Sequence, residues 1–144
     1  MLTPEQAGEL LKGAMEARDH AYTPYSHFHV GAALLTKEGK VYQGCNIENA
    51  AYSPSVCAER TAFFKAVYEG ERNFKAIAIM GGPETVKGPD CDICAPCGIC
   101  RQVMMEFCDP GTFEILLGTP EKYEIYTLKE ILPLGFGSAN LKKK

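Results

Sequence analysis

The sequence predicts an α/β protein in which helices cover a mixed sheet. Three observations predict this class. The N-terminal region has apolar residues at helical spacing, a hairpin of two short strands follows it, and strands then alternate with helices to the end of the chain. The chain has 144 residues, a length that suits a single domain covering residues 1–144.

The first predicted element is an amphipathic helix. Thr3 is suited to cap it, Pro4 fits its first position, and Gln6 completes a capping box. Pro24 breaks the helical pattern within residues 22–26. The apolar stripe of this helix consists of Ala7, Leu10, Leu11, Ala14 and Ala21.

A hairpin and a second helix come next. Residues 28–35 alternate as a strand does, a turn lies at 37–40, and residues 41–45 form the partner strand. Residues 57–69 have helical spacing and end at Gly70, a typical residue just beyond a helix C-terminus.

The remainder of the chain alternates strands with helical segments. The predicted elements are a buried strand at 74–80, a loop at 81–95, a helix at 97–107, strands at 113–117 and 123–127, and a helical turn at 128–132.

Composition limits the classes of function and the cellular compartment that we expect for this chain. The net charge of −3 and the pI of about 5.6 argue against a nucleic-acid-binding surface, which needs clustered lysine and arginine. The basic run at residues 142–144 is interpreted as a solvated tail. We find neither a membrane-spanning stretch nor a signal peptide, so the cytoplasm is the expected location. In that reducing compartment, seven cysteines favour metal binding or catalysis over disulfides.

Two short cysteine motifs carry the chemistry. Cys57 begins the first, with Glu59 two residues later, and Cys97 and Cys100 belong to a Pro-Cys-x-x-Cys motif. Three thiolates leave a tetrahedral zinc ion one open position, and that position suits a reactive water. Zinc-dependent nucleobase deaminases carry this arrangement, with a glutamate that moves protons.

All three thiolates are expected near helix N-termini, where free N–H groups stabilise negative charge. Three thiolates give the zinc centre a net charge of −1, which weakens its ability to acidify water. We therefore expect Arg60 to donate hydrogen bonds to the thiolates and draw electron density from the metal.

Four interpretations concern the extra pair Cys91 and Cys94. Together with Cys97 and Cys100 they repeat every three residues, and this spacing would also permit a structural four-cysteine zinc site. That interpretation leaves Glu59 without a role. The pair otherwise holds a second metal, exchanges ligands with the main site, or consists of free loop thiols, which is the favoured interpretation.

Beyond these motifs, the chain resembles the small homotetrameric form of the cytidine deaminase family over nearly its whole length. The further matching stretches are Pro24–Ser26, Phe28–Leu34, Gly44–Ala50 and Leu132–Phe136. The Asn-Ile-Glu-Asn run within Gly44–Ala50 is the most specific, because it separates the nucleoside enzymes from other zinc deaminases.

The resemblance implies a three-layer α/β/α sandwich around a five-stranded mixed sheet and one zinc ion per chain. It implies hydrolytic deamination of cytidine and 2′-deoxycytidine in pyrimidine salvage by a homotetramer that binds neither nucleic acid nor membrane. The implied zinc ligands are Cys57, Cys97 and Cys100, with Glu59 as proton shuttle and Arg60 in support. The implied substrate-binding residues are Phe28, Asn46, Glu48, Tyr52, Ala58 and Phe136, of which Asn46 and Glu48 hold the ribose and Phe136 reaches a neighbouring subunit.

Other functions are weighed against this one. A deaminase of a different small aminopyrimidine is disfavoured because a substrate that is not a nucleoside leaves Asn46 and Glu48 unpaired. A polynucleotide-editing enzyme is disfavoured by the acidic pI, and a structural zinc module by Glu59. His27 and His29 alternate on a strand and are expected to face solvent.

Overall fold

A computed structural model describes residues 1–142 of the chain. The predicted solvated tail at 142–144 therefore lies, apart from Lys142, outside the described residues. The helices are α1 (Pro4–Arg18), α2 (Ala58–Tyr68), α3 (Gly98–Phe107) and α4 (Leu128–Ile131), and the strands are β1 (Phe28–Thr36), β2 (Val41–Cys45), β3 (Phe74–Pro83), β4 (Glu114–Gly118) and β5 (Tyr123–Thr127).

The strands form one mixed sheet in the order β2-β1-β3-β4-β5. Strand β1 is antiparallel to both of its neighbours, β3 and β4 are parallel, and β5 is antiparallel to β4. Helix α3 connects the two parallel strands, so it begins near the carboxyl end of β3. In sheets of this kind, ligands usually bind beyond the carboxyl ends of the parallel strands.

Helices cover both faces of the sheet. Helix α1 packs on one face through Leu10, Leu11 and Ala14, which meet small side chains of β1 and β3. Helices α2 and α3 lie on the other face, where Phe63 and Met104 are fully buried. The predicted three-layer α/β/α sandwich around five strands is confirmed.

Local signals placed most of the helix and strand boundaries within one or two residues. The Thr3 hydroxyl accepts from the Gln6 N–H, and the Gln6 side chain accepts from the Thr3 N–H, which is the predicted capping box. Strand β3 runs three residues beyond its predicted end at 80. The backbone of β1 continues to pair with it there, opposite Gly81, Gly82 and Pro83, and this pairing needs no side chain.

Within residues 1–142, the helices are too short or too polar to span a bilayer.

Candidate active site at two helix N-termini

The three cysteines of the predicted zinc site meet where α2 and α3 begin. Cys57 is the N-cap residue of α2 and Cys97 is the N-cap residue of α3, and neither side chain caps its own helix through a hydrogen bond. Cys100 lies in the first turn of α3 and is buried. Free N–H groups and the positive ends of two helix dipoles therefore surround the three sulfur atoms, which favours the thiolate form.

The spacing of the sulfur atoms fits a tetrahedral metal. The Cys57 and Cys97 Sγ atoms are 3.6 Å apart, and those of Cys97 and Cys100 are 3.5 Å apart. All three lie within 4.8 Å of one another. Zn–S bonds of about 2.3 Å at tetrahedral angles place sulfur atoms roughly 3.8 Å apart. The three residues can therefore hold zinc with little movement, and their thiolate chemistry suits that ion.

Gly44 of β2 allows α2 to approach the sheet closely enough to place Cys57. A Cβ atom added at Gly44 would lie 2.5 Å from both the Ala58 carbonyl oxygen and the Ala62 nitrogen. Contacts this short to backbone atoms are impossible, so any larger residue would displace the first turn of α2. The position of the metal ligand thus depends on a glycine of the neighbouring strand.

The charge of Cys57 is stabilised by three neighbouring side chains. Hydrogen bonding with Cys100 lowers the pKa of the Cys57 thiol most, and Arg60 and Cys97 lower it further, to about 5 against the opposing effect of burial. The same bond and burial raise the pKa of Cys100. Arg60 Nη2 donates to Cys57 Sγ at 3.4 Å, as the sequence predicts for this residue. The guanidinium offsets part of the thiolate charge.

Glu59 lies in the first turn of α2 and is only 4% exposed. Burial, together with the charge of the neighbouring Cys57, raises the pKa of its carboxyl group to about 7. A carboxyl group with a pKa near neutrality both accepts and releases protons readily, so it suits general acid–base catalysis. Such a perturbed group beside a metal site is typical of an enzyme centre.

The structural four-cysteine site is not assembled. Among residues 1–142, the cluster able to hold a metal consists of Cys57, Cys97 and Cys100. Cys91 and Cys94 are free thiols in the loop before α3, as the favoured interpretation predicts, and they are buried and half-buried, respectively. The catalytic interpretation, with three protein ligands and an open fourth position, accounts for this geometry.

The predicted ribose-binding residues hold the chain that leads into β1. Asn46 Oδ1 accepts from the Val30 N–H at 2.8 Å, and Asn46 Nδ2 donates to the Phe28 carbonyl at 2.8 Å. Glu48 accepts from the N–H groups of Tyr25 and Ser26 at 3.0 and 3.1 Å. A side-chain amide has four hydrogen-bonding positions, so Asn46 retains one donor and one acceptor for a ligand.

The Glu48 carboxylate stays ionised at neutral pH. Hydrogen bonding from Ser26 lowers its pKa, with a smaller contribution from Tyr25. Glu48 lines a cleft of about 310 Å³ together with Tyr52, which is 71% exposed. Two predicted substrate-binding residues therefore share one open surface.

Phe28 lines a second cleft, of about 340 Å³, with Gly81, Gly82 and Cys94. The Phe28 ring is 37% exposed, so one part remains available for contact with a flat ligand. A cleft of about 550 Å³ between α1 and the β1–β2 turn is larger, but it is lined mainly by surface residues such as Glu5 and Lys37 far from the cysteines. We assign no chemistry to that larger cleft.

The two remaining predicted binding residues differ in accessibility. Ala58 is fully buried, so its side chain is not accessible and any substrate contact must come from its backbone. Phe136 is 58% exposed. Its carbonyl oxygen accepts from Gln102 Nε2 at 2.8 Å, which fixes the backbone while the ring faces outward. The Phe136 ring is therefore not packed into the hydrophobic core of its own chain.

Arg101 is a positioning residue that sequence analysis did not identify. Its Nε donates to the Pro96 carbonyl at 2.9 Å, and its Nη1 donates to the Ile131 carbonyl. These bonds tie the segment before Cys97 to α4. The only sequence signal for this role is its position directly after Cys100, because its acceptors are distant backbone atoms.

The histidines also differ from the expectation that both face solvent. The His27 side chain is 60% exposed, but that of His29 is only 25% exposed. Both rings contact the Glu84 carboxylate, at 3.1 and 3.6 Å. Glu84 lies just after β3, so the pairing joins the two chain segments that flank the Phe28 cleft.

Comparison with known proteins agrees with this site. Residues 4–113 match the family model of the cytidine and deoxycytidylate deaminase zinc-binding region. A cytidine deaminase from Sporosarcina psychrophila is 47% identical over 133 residues, covering 92% of this chain and 93% of that protein. The crystal structure of cytidine deaminase from Burkholderia pseudomallei is 44% identical with a TM-score of 0.79, covering 89% of this chain and 97% of that chain.

A blasticidin-S deaminase from Bacillus cereus is 31% identical over 133 residues, covering 92% of this chain and 93% of that protein. The family match spans both helix N-termini that carry the three cysteines and Glu59. The chain therefore belongs to the zinc-dependent cytidine and deoxycytidylate deaminase family.

Proposed function

We propose that this chain is a zinc-dependent cytidine deaminase, which converts cytidine and 2′-deoxycytidine to uridine and 2′-deoxyuridine with release of ammonia. The observation that carries the proposal is the buried Glu59 carboxyl group beside three thiols at metal-binding distance. Family membership supports the same reaction.

Cys57, Cys97 and Cys100 would hold the zinc ion. Zinc, when bound, supplies a Lewis acid that lowers the pKa of water and makes it a nucleophile for C4 of the pyrimidine. Arg60 stabilises the thiolate of Cys57 and partly neutralises the ligand set, which leaves the metal more electron-poor.

Glu59 moves the protons of the reaction. Its carboxylate accepts a proton from the attacking water and donates it to N3 of the pyrimidine. It then takes the proton of the new hydroxyl group on C4 and transfers it to the amino group on the same carbon. The C4–N bond breaks, the C4–O bond becomes a carbonyl, and ammonia leaves. Its small exposure keeps bulk water from competing for these protons.

The predicted substrate residues position the nucleoside. Asn46 and Glu48 would bind the ribose hydroxyls, since an amide and a carboxylate make directional hydrogen bonds to hydroxyl groups. The exposed face of Phe28 would contact the base. Ala58 would contribute backbone groups, and the exposed ring of Tyr52 would border the nucleoside at the Glu48 cleft.

A deaminase of another small aminopyrimidine nucleoside is the second candidate function. A relative that is 31% identical bears the name blasticidin-S deaminase, so family membership alone leaves the substrate open. The 47% identity to a cytidine deaminase favours the first candidate.

One assay separates the candidates. The purified, zinc-loaded protein is incubated with cytidine, 2′-deoxycytidine, their monophosphates, cytosine and blasticidin S, and the ultraviolet change on deamination is followed. We expect turnover of the two nucleosides and little turnover of the monophosphates, because Glu48 repels phosphate. A Glu59→Gln variant serves as the inactive control. Exclusive turnover of blasticidin S would favour the second candidate, and no turnover with zinc bound would contradict both.

We place the enzyme in pyrimidine salvage as a cytoplasmic homotetramer. All seven cysteines are free, which is typical of a reducing compartment. The outward Phe136 ring supports an assembly in which one chain contributes to the site of another.

A further inference from the structure

The segment Cys91–Cys94 packs against the end of strand β3, with one thiol on each face of the strand. Gly81 and Gly82 are adjacent strand residues, so their side-chain directions point to opposite faces. A Cβ atom at Gly81 would lie 2.8 Å from Cys94 Sγ, and one at Gly82 would lie 2.9 Å from Cys91 Sγ. Each thiol thus occupies the space that a side chain on β3 would otherwise fill.

This arrangement argues against a metal or redox role for the pair. The two sulfur atoms pack against adjacent residues of β3 whose side-chain directions are opposite, and neither belongs to the metal-binding cluster within residues 1–142. Burial raises the pKa of Cys94 to about 11 and also raises the pKa of Cys91. Neutral, separated thiols are poor nucleophiles and poor ligands, so the pair acts through packing.

The strand end under the thiols is held firmly. Arg18 is only 4% exposed. Its side chain donates to the carbonyl oxygens of His29, Gly82 and Pro83 at 3.1, 3.0 and 2.8 Å. A buried guanidinium that donates three hydrogen bonds fixes β1 and β3 relative to α1 at this point. The two glycines therefore form a rigid surface for the segment that packs on them.

The segment Cys91–Cys94 is followed directly by the metal ligands of α3. Cys94 precedes the ligand Cys97 by three residues, and Arg101 holds the intervening Pro96 through its carbonyl. Cys94 also lines the Phe28 cleft.

We propose that Cys94 is a positioning residue for the deamination reaction: packed on Gly81, its thiol fixes the segment that leads to Cys97 and forms part of the wall of the Phe28 cleft, with Cys91 on Gly82 as the second anchor. This inference rests on the proposed function. It assigns a role in the reaction to two cysteines outside the three that form the metal cluster.

The first test replaces Cys94 by Ala, which removes the thiol, and by Val, which restores apolar volume without sulfur. The matched control is Cys45→Ala, since Cys45 is a half-buried thiol at the sheet edge whose Sγ donates a hydrogen bond to the His20 carbonyl at 3.4 Å. We expect Cys94→Ala to lower kcat about tenfold with KM within about twofold, because misplacement of the reacting groups affects the chemical step. Cys94→Val should recover most of kcat, and Cys45→Ala should leave it unchanged.

The second test uses the Gly82 contact on the other face. Gly82→Ala alone should lower kcat because its new methyl group displaces Cys91. The double variant with Cys91→Ala removes the clashing sulfur, so its kcat should return to that of Cys91→Ala. Zinc content should remain one ion per chain in all variants, and the thiolate-to-metal absorption of the cobalt-substituted proteins should change in Cys94→Ala and Gly82→Ala only.

The outcomes are distinguishable. Loss of melting temperature in Cys94→Ala with wild-type kcat and a wild-type cobalt spectrum would overturn the proposal and leave Cys94 a packing residue. If Cys94→Ala fails to fold, the comparison of Gly82→Ala with the double variant Gly82→Ala and Cys91→Ala tests the proposal instead. A double variant whose kcat does not recover would overturn the proposal. If the wild-type protein does not deaminate cytidine, the proposed function fails, while the cobalt spectra still test the positioning of Cys97.

Discussion

At the scale of single residues, the site separates metal binding from proton transfer. Three thiols provide the ligands, and Glu59 lies two residues after Cys57 in the first turn of the same helix. This spacing keeps the carboxyl group near the metal ligands without making it one of them. A residue that is not a ligand can be changed while the metal stays in place.

The first prediction uses this separation. Glu59→Gln keeps the shape of the side chain but cannot accept a proton, so turnover of cytidine should fall by well over about 10²-fold. Zinc content and the melting temperature should stay near those of the wild type. Metal analysis and a spectrophotometric assay check both parts. A variant that retains near-normal turnover would show that another group carries the protons.

The second prediction concerns Glu48. Glu48→Ala removes both the proposed ribose contact and the two hydrogen bonds to Tyr25 and Ser26. Binding energy from the ribose also orients C4, so we expect KM to rise and kcat to fall, together lowering kcat/KM at least about 10²-fold.

Glu84→Ala is the matched control for Glu48→Ala. The Glu84 side chain is 42% exposed and contacts His27 and His29. Its kcat/KM should stay within about twofold of the wild type, as is usual for exposed substitutions. The ribose assignment would be wrong if the wild type used free cytosine as efficiently as cytidine.

At the scale of secondary-structure elements, the catalytic geometry depends on how closely α2 approaches the sheet. Gly44→Ala would place a methyl group 2.5 Å from two backbone atoms of α2. The helix must then shift, which should cost about 1–3 kcal/mol of unfolding free energy and disturb Cys57 and Glu59 together. Zinc affinity and kcat should both fall, as measured by chelator competition and steady-state kinetics.

Gly8→Ala provides the control for that substitution. Gly8 lies within α1, and an added Cβ would meet nothing within 4 Å. Alanine favours the helix by about 0.8–1.0 kcal/mol over glycine, so this variant should be more stable with unchanged kcat. If Gly44→Ala behaved like Gly8→Ala, the close approach of α2 would not be what positions the site.

The elements also show what the sequence could and could not predict. Helix starts were predictable because their signals are local: Thr3 and Gln6 form a capping box, and the cysteine motifs mark the starts of α2 and α3. The extension of β3 beyond residue 80 was not predictable from the sequence. Gly81 and Gly82 have no side-chain pattern, and their pairing with β1 depends on the backbone alone.

The neighbours of single side chains were also unpredictable where they come from distant segments. Cys94 packs on Gly81 of β3, and Asn46 bonds the backbone of β1. No local spacing encodes such contacts, because they arise only when the layers pack. The three metal ligands were predictable because Cys57 with Glu59, and Cys97 with Cys100, match the two short motifs of the zinc-deaminase signature.

At the scale of the whole molecule, exposed apolar side chains support the proposed assembly into a homotetramer. Phe136 is 58% exposed and Leu134 is fully exposed, close to the C-terminal end of the described chain. A single chain of 144 residues leaves its clefts open, at about 310 and 340 Å³ beside Glu48 and Phe28. A ring from a neighbouring chain would close such a cleft and exclude water.

The last prediction is that the protein is a homotetramer in which Phe136 acts in the site of a neighbouring subunit. Identical chains usually assemble with two-fold symmetry, so each site would receive the same ring. Phe136→Ala should therefore raise KM without loss of zinc. Mixing Phe136→Ala chains with Glu59→Ala chains before reassembly creates some sites with an intact Glu59 and a donated Phe136. Turnover at low cytidine concentration should then exceed that of both unmixed variants, whereas a ring acting in its own chain would give no such gain. Light scattering of the active wild type should give four chains, and a fully active monomer would contradict the assembly.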